Sequence, residues 1–468
     1  MRGRVKYFDP VKNYGHIIGE DKKEYFVHAN TISVAVECSY LVDGEAVEFQ
    51  PVRVEGRLQA HDVMPLATKE KPKIHVSRSL VPNPFTPQDP IKDPRYFSGR
   101  EEEIATAVHA LFNNCNILVT GERGVGKSSL AQQLLLLCEG ERALLDRIGM
   151  ATDGFEFSYL AASHACQPGD SLKDIVLALA RDVAKHLGED SDVVETTEVA
   201  LDAKLLSIRD TMERTRREPT TVAGVLVDAI VRLVETMPQD FNGICLTIDE
   251  VDVIDTGIPF APFLKAVSES LGLRGVMNVS VMVVGVTGTM TALLSQHPSS
   301  SRLLTPVPLP LMTEGELRQI LLSTLEGSGR TITRAAINRI VARSNRLPAP
   351  VQLLGYYSFQ SDSDGEIDSD DVATAEAIIT RNKTPEYSGM LKGLAGDQHA
   401  NRLIEKMSGL QQGVDLEHVA RLLHLTAEEA QPVLKRLIAH GVLVVTSEDV
   451  YQFKDPLFRL WLFLKHRE

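Results

Sequence analysis

Cysteine is scarce in this chain: five in 468 residues, at positions 38, 115, 138, 166 and 245, with no C-x-x-C pair. That scatter argues against a disulfide framework and against a zinc site, and it fits thiols kept reduced in a cytoplasm. No apolar run approaches the roughly 18 residues of a membrane span, so no membrane partner is expected. Met1-Arg2-Gly3-Arg4 leads straight into an alternating pattern without a signal-peptide core, which again points to a cytoplasmic location. Positive charge is also short. With 49 Lys and Arg against 63 Asp and Glu, the net charge of −14 gives no chain-wide attraction to nucleic acid, and any such site must be local. A full set of helicase motifs is missing, which disfavours a processive helicase and leaves a helicase loader open. Hydrophobic content of 43% is ample for several cores, and the length suits about three domains.

Residues Gly121-Glu122-Arg123-Gly124-Val125-Gly126-Lys127-Ser128 match the phosphate-binding pattern G-x-x-x-x-G-K-S/T, and Ser129 extends it. The apolar run Ile117–Thr120 precedes the loop as a buried strand would, and Ser129–Leu135 continues with helix-forming residues. Glycines at 121, 124 and 126 let the backbone approach an anion, and the following helix adds its positive dipole end. Lys127 is placed to reach the β- and γ-phosphates, and the Ser128 hydroxyl to ligate Mg²⁺. Binding of ATP with Mg²⁺ is therefore expected.

A second apolar run, Ile244–Ile248, ends in Asp249-Glu250. Asp249 at the strand tip can hold Mg²⁺ opposite Ser128, and Glu250 stands where a carboxylate can polarise the attacking water.

Residues 1–66 alternate as strands at Gly3–Phe8, Gly15–Ile18, Tyr25–His28 and Ala46–Val54. Gly3-Arg4-Val5-Lys6-Tyr7-Phe8-Asp9, Lys12-Asn13-Tyr14-Gly15-His16-Ile17 and Tyr25-Phe26-Val27-His28 carry a resemblance to cold-shock domains, five-stranded OB-type barrels. Asn13 departs from that family's usual Gly, and His16 from a stacking Phe. The resemblance implies single-stranded RNA or DNA stacked on Lys6, Tyr7, Tyr14, His16, Phe26 and His28. Such rings offer flat faces to successive bases. The segment has eight Lys and Arg against ten Asp and Glu, so stacking must carry more than charge. The other reading gives these rings to the barrel core or to a contact with another domain.

Residues 67–95 read as a linker, with Lys69, Lys71, Lys73 and Arg78 among six prolines. It is either a solvated tether or a basic strip along a nucleic-acid backbone. From there strands and helices alternate as in a doubly wound α/β sheet. Strands are expected at Phe155–Leu160, Gly243–Ile248, Val279–Val286 and Val307–Leu311, a helix at Ser171–Leu187, and a polar insertion at 189–222. The Ser- and Asp-rich stretch 361–371 reads as a loop leading to a capped helix. At the C-terminus, helices at Asp415–Leu423 and Thr426–His440, a stop at Gly441 and strands at Val442–Val445 and Val450–Phe453 look like a winged helix.

Asn83-Pro84-Phe85, Phe97-Ser98-Gly99-Arg100-Glu101, Ile248-Asp249-Glu250-Val251-Asp252 and Asn345-Arg346-Leu347-Pro348 together resemble AAA+-type P-loop ATPases of the origin-recognition, archaeal and STAND kind. This resemblance covers the chain from about residue 83 onward, and together with the cold-shock resemblance it implies a multidomain protein. Its parts would be a small all-β OB-type barrel (1–66), a linker (67–95), an α/β P-loop ATPase core (96–312), a helical lid (313–400) and a winged helix (401–468). It also implies a backbone bordering adenine at the first two motifs, a γ-phosphate sensor at Thr287 and an arginine finger at Arg302. The finger would act in an ATP-dependent homo-oligomer; the other reading of Arg302 is a cation complementing a helix end. Arg346 falls in a lid motif that lacks the usual Gly.

Two functions fit. One is an ATP-hydrolysing switch coupled to single-stranded nucleic acid. The other is a nucleotide-gated scaffold with little turnover, holding protein partners through its end modules. Glu250 favours the first. Glu428-Glu429, at the start of the second C-terminal helix, favours the second, because carboxylates there would face phosphates unfavourably.

Overall fold

Five strands, β1 (Arg2–Asp9), β2 (Tyr14–Gly19), β3 (Glu24–His28), β4 (Ala46–Val54) and β5 (Arg57–Pro65), close into a barrel in the order β1-β2-β3-β5-β4. The structure is a computed structural model and describes residues 1–9, 14–28, 31–32, 41, 44–54, 57–66, 81–152, 154–187, 214–236, 241–296, 300–410, 413–445 and 450–465. Lys12-Asn13, the basic positions 69, 71, 73 and 78, most of the 189–222 insertion, and the wing turn 446–449 lie outside the described residues. The chain divides into two units, Met1–Asp89 with Leu311–Glu468, and Pro90–Pro310.

Alternation builds the barrel. Val5, Phe8, Ile17, Tyr25, Val27, Val47, Phe49, Ala60 and Val63 point inward and fill its core. The pattern of apolar residues did not single out β5, because Leu58, Ala60 and Val63 are the only inward anchors in a polar stretch. β5 pairs antiparallel with β4 and meets β3 at Phe26 and Gln59, which closes the ring.

The second unit holds a five-stranded parallel sheet. Its strands are β6 (Asn116–Gly121), β7 (Tyr159–Ala165), β8 (Gly243–Asp249), β9 (Val279–Val286) and β10 (Leu304–Leu309), in the order β10-β6-β9-β8-β7. β8 and β9 are buried almost throughout, as parallel strands covered on both faces must be. Two strands differ from the sequence expectation. Phe155 and Phe157 do not enter the ladder; they stack edge-on with each other and with Phe112 and Tyr159, and β7 begins only at Tyr159. β10 starts at Leu304, three residues before the expected Val307, and its prolines 306 and 308 are tolerated because it lies at the sheet edge.

In the first unit, helices Glu314–Leu325, Arg334–Arg343, Pro348–Ser361 and Ser369–Lys392 share a core that includes Phe85. The linker expectation therefore fails from Asn83 onward. The Asn83 side chain donates to the Tyr356 carbonyl (2.9 Å), the Phe85 N–H to Asn83 Oδ1 (3.1 Å), and the Thr86 N–H to Gln352 Oε1 (3.1 Å). Further on, helices Leu416–Leu423 and Ala427–Ala439 are capped by Asp415 and Thr426 and followed by the antiparallel pair Leu443–Val445 and Tyr451–Phe453. Gly441 takes φ +70 just past the second helix. Among the described residues, no helix is long and apolar enough to cross a membrane.

One buried ion cluster ties two helices of this unit together. Glu376 on Ser369–Lys392 meets Arg339 (2.5 Å) and Arg343 (3.1 Å) of Arg334–Arg343. Burial works against the carboxylate, but the two guanidiniums outweigh it and hold the group at about 2. Removing the charge strands two cations in the core, so Glu376→Gln should cost about 3–5 kcal/mol in denaturant unfolding of this unit. A loss below about 1 kcal/mol, the range of exposed pairs, would show the cluster to be solvent-screened.

Candidate functional site

The phosphate loop follows helix α1 (Glu101–Phe112) and strand β6, leaves β6 at its C-terminal end and feeds helix α2 (Lys127–Cys138). Gly124 and Gly126 take φ of +76 and +100, a turn that a side chain would strain and that directs successive N–H groups toward one point. Arg100 braces this turn from outside: buried beside Glu103 (3.1 Å), it donates to the Val125 carbonyl at 3.2 Å. Lys127 is the first residue of α2, and its ammonium donates to the Glu122 carbonyl at 2.9 Å, across its own loop. Ser129 turns elsewhere. Its hydroxyl accepts from the Ile91 N–H at 3.1 Å, and Gln133 holds the Ile91 carbonyl at 2.6 Å, so this serine anchors the preceding segment to α2.

Strand order assembles the rest. β9 lies between β6 and β8, so its tip stands between the phosphate loop and the acids ending β8. Val286 is level with Gly121, and Thr287, exposed, comes next. On the other side, the Asp249 carboxylate accepts from the Ser128 hydroxyl and from the Glu250 N–H (2.7 Å). Glu250 adopts φ +54 and is exposed, its side chain leaving the strand line toward solvent. Asp252, nearly buried, accepts from the Val286 N–H at 3.1 Å and pairs with Arg123 of the phosphate loop at 3.4 Å. The sequence displayed Asp252 within a motif but gave it no role. Both its contacts join segments far apart in the chain, and local spacing does not reveal them; the same holds for Arg100.

Charge crowds this edge of the sheet. Burial raises the Asp249 carboxyl, against hydrogen bonds from Ser128 and Glu250, and burial followed by Asp249 and Asp252 raises Glu250. Burial lowers the Lys127 ammonium, while Asp252 and Asp249 support its charge. A hydroxyl hydrogen-bonded to a carboxylate, within a field of three acids opposed by Lys127 and Arg123, is a hard-oxygen donor set that fits Mg²⁺. The residues present therefore match the expected ion.

Arg302 falls apart from this group. It is exposed and lies two residues before Leu304, which is level with Asn116 at the opposite end of the sheet from Gly121. Five strand residues separate those levels, on the order of 16 Å, so Arg302 does not serve its own phosphate loop. His297, Pro298 and Ser299 beside it lie outside the described residues. Arg346 is bound within its own unit, donating to the Met312 carbonyl at 2.9 Å.

On the barrel, Tyr14 and His16 of β2 and Phe26 and His28 of β3 occupy the positions that alternate with the core. Tyr14 is level with His28, His16 with Phe26, and Tyr7 with His16. Ring centroids lie 5.8 Å apart for Tyr14 and Phe26, 5.7 Å for His16 and Phe26, and 5.2 Å for Tyr7 and His16, and the Tyr7 hydroxyl meets His16 Nδ1 at 2.9 Å. All five are partly exposed. Lys6, exposed beside them, pairs with Glu24 at 3.0 Å.

Residues 96–276 match the AAA ATPase domain and residues 1–66 the 'cold-shock' DNA-binding domain. No curated protein sequence matches the chain. Among solved structures, it is similar to a Walker-type ATPase of Pyrococcus abyssi (15% identity, 80% of this chain and 98% of that one, TM-score 0.48). It is also similar to the RuvB Holliday junction branch migration motor of Thermotoga maritima (16%, 77% and 94%, 0.36). The ORC1 protein of Aeropyrum pernix in complex with DNA is a third (15%, 79% and 93%, 0.36). The chain thus carries a P-loop ATPase domain behind a cold-shock domain.

Lys127→Ala removes the ammonium without touching the sheet or the barrel. It should abolish measurable ATP binding in calorimetry while leaving thermal unfolding unchanged. Wild-type affinity in a folded variant would move the phosphate site elsewhere.

Proposed function

We propose that this protein is an ATP-hydrolysing switch whose nucleotide state is coupled to single-stranded RNA or DNA bound by the barrel. The observation that carries the nucleic-acid part of this reading is the row of rings Tyr7, Tyr14, His16, Phe26 and His28 on the outside of a barrel whose core is filled by other side chains. A contiguous set of half-exposed rings costs apolar exposure, and base stacking is the use that repays it. This placement supports the nucleic-acid reading over a core role.

In the ATPase unit, the loop N–H groups and Lys127 bind and orient the β- and γ-phosphates. Mg²⁺, when bound by Ser128 and Asp249, supplies charge neutralisation on the transferring group. Glu250 polarises the attacking water. Its exposed position and raised carboxyl suit a base that must take up partial proton character in the transition state. Thr287, between the loop and the acids, holds the γ-phosphate oxygens. Arg302 acts, in this reading, on the site of a neighbouring copy, which makes the ATP-bound form a homo-oligomer.

The C-terminal helices and hairpin are read as a winged helix that holds a protein partner. Glu428 and Glu429 are exposed at the start of Ala427–Ala439, where a nucleic-acid reader would need neutral or basic groups. The same observation keeps a second reading, a nucleotide-gated scaffold with little turnover. ATPase rates with and without single-stranded DNA or RNA separate the two, since a scaffold shows neither appreciable turnover nor stimulation.

Glu250→Gln should retain ATP affinity and lower kcat by about 10²–10⁴-fold, the usual contribution of general-base catalysis. Turnover equal to wild type would remove Glu250 from the base role. Replacing Tyr14 and Phe26 together by Ala should weaken single-strand binding by about 1–3 kcal/mol per stacked base, with little dependence on base sequence. Basal ATPase should persist. Unchanged binding by the folded double variant would take the nucleic acid off the barrel.

A further inference from the structure

The turn that follows β7 gathers three donor side chains outside the phosphate site. β7 ends at Ala165, level with Asp249, and the next residue, Cys166, donates its N–H to the Asp249 carbonyl at 2.9 Å. The chain then reverses. Asp170 donates its N–H to the Gln167 carbonyl at 3.1 Å, and its Oδ2 accepts the Gln167 N–H at 2.8 Å. That reversal brings the same carboxylate oxygen to His164 Nε2 at 2.8 Å. One ligand atom each from His164, Cys166 and Asp170 now lies within 4.8 Å of the other two, and no other such group occurs among the described residues.

We propose that His164, Cys166 and Asp170 form a site for a thiophilic divalent cation of the Zn²⁺ type, separate from the Mg²⁺ pair Ser128 and Asp249. The donors are one nitrogen, one sulfur and one oxygen, all borderline-soft or compatible with Zn²⁺, whereas Mg²⁺ and Ca²⁺ take oxygen alone. Three protein ligands leave the fourth tetrahedral position open, and His164 and Asp170 at the rim admit water to it, while Cys166 is fully buried beneath. With metal–donor distances of about 2.0–2.3 Å, tetrahedral donors stand about 3.4 Å apart, so closure needs shifts on the order of 1 Å. Two of the three side chains are already oriented, His164 by Asp170 and Asp170 by the Gln167 N–H.

The surroundings select a dication. Burial above all, and after it the carboxylates of Asp170, Asp249, Glu250 and Asp252, disfavour a lone thiolate at Cys166. The same negative field attracts a cation, and only an ion that bonds sulfur strongly offsets the loss of the thiol proton. On binding, that proton leaves to solvent. The imidazole proton moves from Nε2 to Nδ1, so that the Nε2 lone pair faces the ion. No electron is transferred. The scattered cysteines of the sequence had argued against zinc, because that argument looks for paired thiols; here the set is H-x-C-x-x-x-D on one turn.

Co²⁺ reports the site, since thiolate-to-Co²⁺ charge transfer absorbs in the near ultraviolet and oxygen-only sites lack it. Full-length protein stripped with chelator should gain that band with one equivalent of Co²⁺, in the presence of excess Mg²⁺ and ATP, and lose it to one equivalent of Zn²⁺. Cys166→Ser should abolish the band, and His164→Gln should weaken Co²⁺ affinity by about tenfold or more, at least the cost of losing an outer-shell partner. Lys127→Ala should leave the band in place, which separates this site from the phosphate loop. Circular dichroism confirms that each variant is folded. Absence of the band in wild type, or its survival in folded Cys166→Ser, overturns the proposal.

Discussion

Three carboxylates, Asp249, Glu250 and Asp252, stand within four residues of chain at the end of β8, and the ATPase unit is organised around tolerating them. Burial raises the Asp249 and Glu250 carboxyls, and the like charges beside them add to the cost. Each acid has its own relief. Asp249 has the Ser128 hydroxyl and a backbone N–H, Asp252 has Arg123 and the Val286 N–H, and Glu250 turns outward to solvent through a left-handed backbone. Lys127 supplies the counter-charge that all three share. The balance is incomplete without a further cation, and that shortfall is what makes the edge a nucleotide site rather than a packed strand end.

Strand order turns this local balance into a working distance. Because β9 separates β6 from β8, the phosphate loop and the acids are held one strand apart, with room between them and Thr287 at the gap. Ser128 crosses the gap to Asp249 through its hydroxyl. Asp252 spans it as well, touching the loop through Arg123 and the tip of β9 through a backbone hydrogen bond. A change at the loop therefore has a short path to the segment carrying Thr287.

What the sequence disclosed follows from how far each signal reaches along the chain. The phosphate loop and the acids after β8 are contiguous motifs, and their spacing alone marked Lys127, Ser128, Asp249 and Glu250. Strand periodicity placed the barrel and most of the parallel sheet for the same reason. It failed at β7, where Phe155 and Phe157 look like strand residues but pack in a chain of rings from Phe112 to Tyr159, and at β5, whose few inward residues give little pattern. It was silent on Arg100, Asp252 and the His164, Cys166 and Asp170 turn, because those contacts depend on which segments the fold brings together. Ser129 continues the motif, and its hydroxyl accepts from the Ile91 N–H, a contact that spacing does not reveal.

Charge distribution on the barrel also constrains what it can read. Double-stranded nucleic acid is held chiefly by phosphate contacts from Lys and Arg, at an affinity that falls steeply with salt. This barrel has fewer basic than acidic residues, and Lys6, beside the rings, is already bound by Glu24. Little remains to hold a backbone by charge. Base faces, by contrast, are presented only by unpaired strands, and the rings at Tyr7, Tyr14, His16 and Phe26 stand half-exposed side by side on neighbouring strands. Under the proposed function, a domain with fewer basic than acidic residues and a row of half-exposed rings would discriminate by strandedness before sequence. A switch coupled to it would respond to where bases are unpaired, and not to the quantity of nucleic acid present.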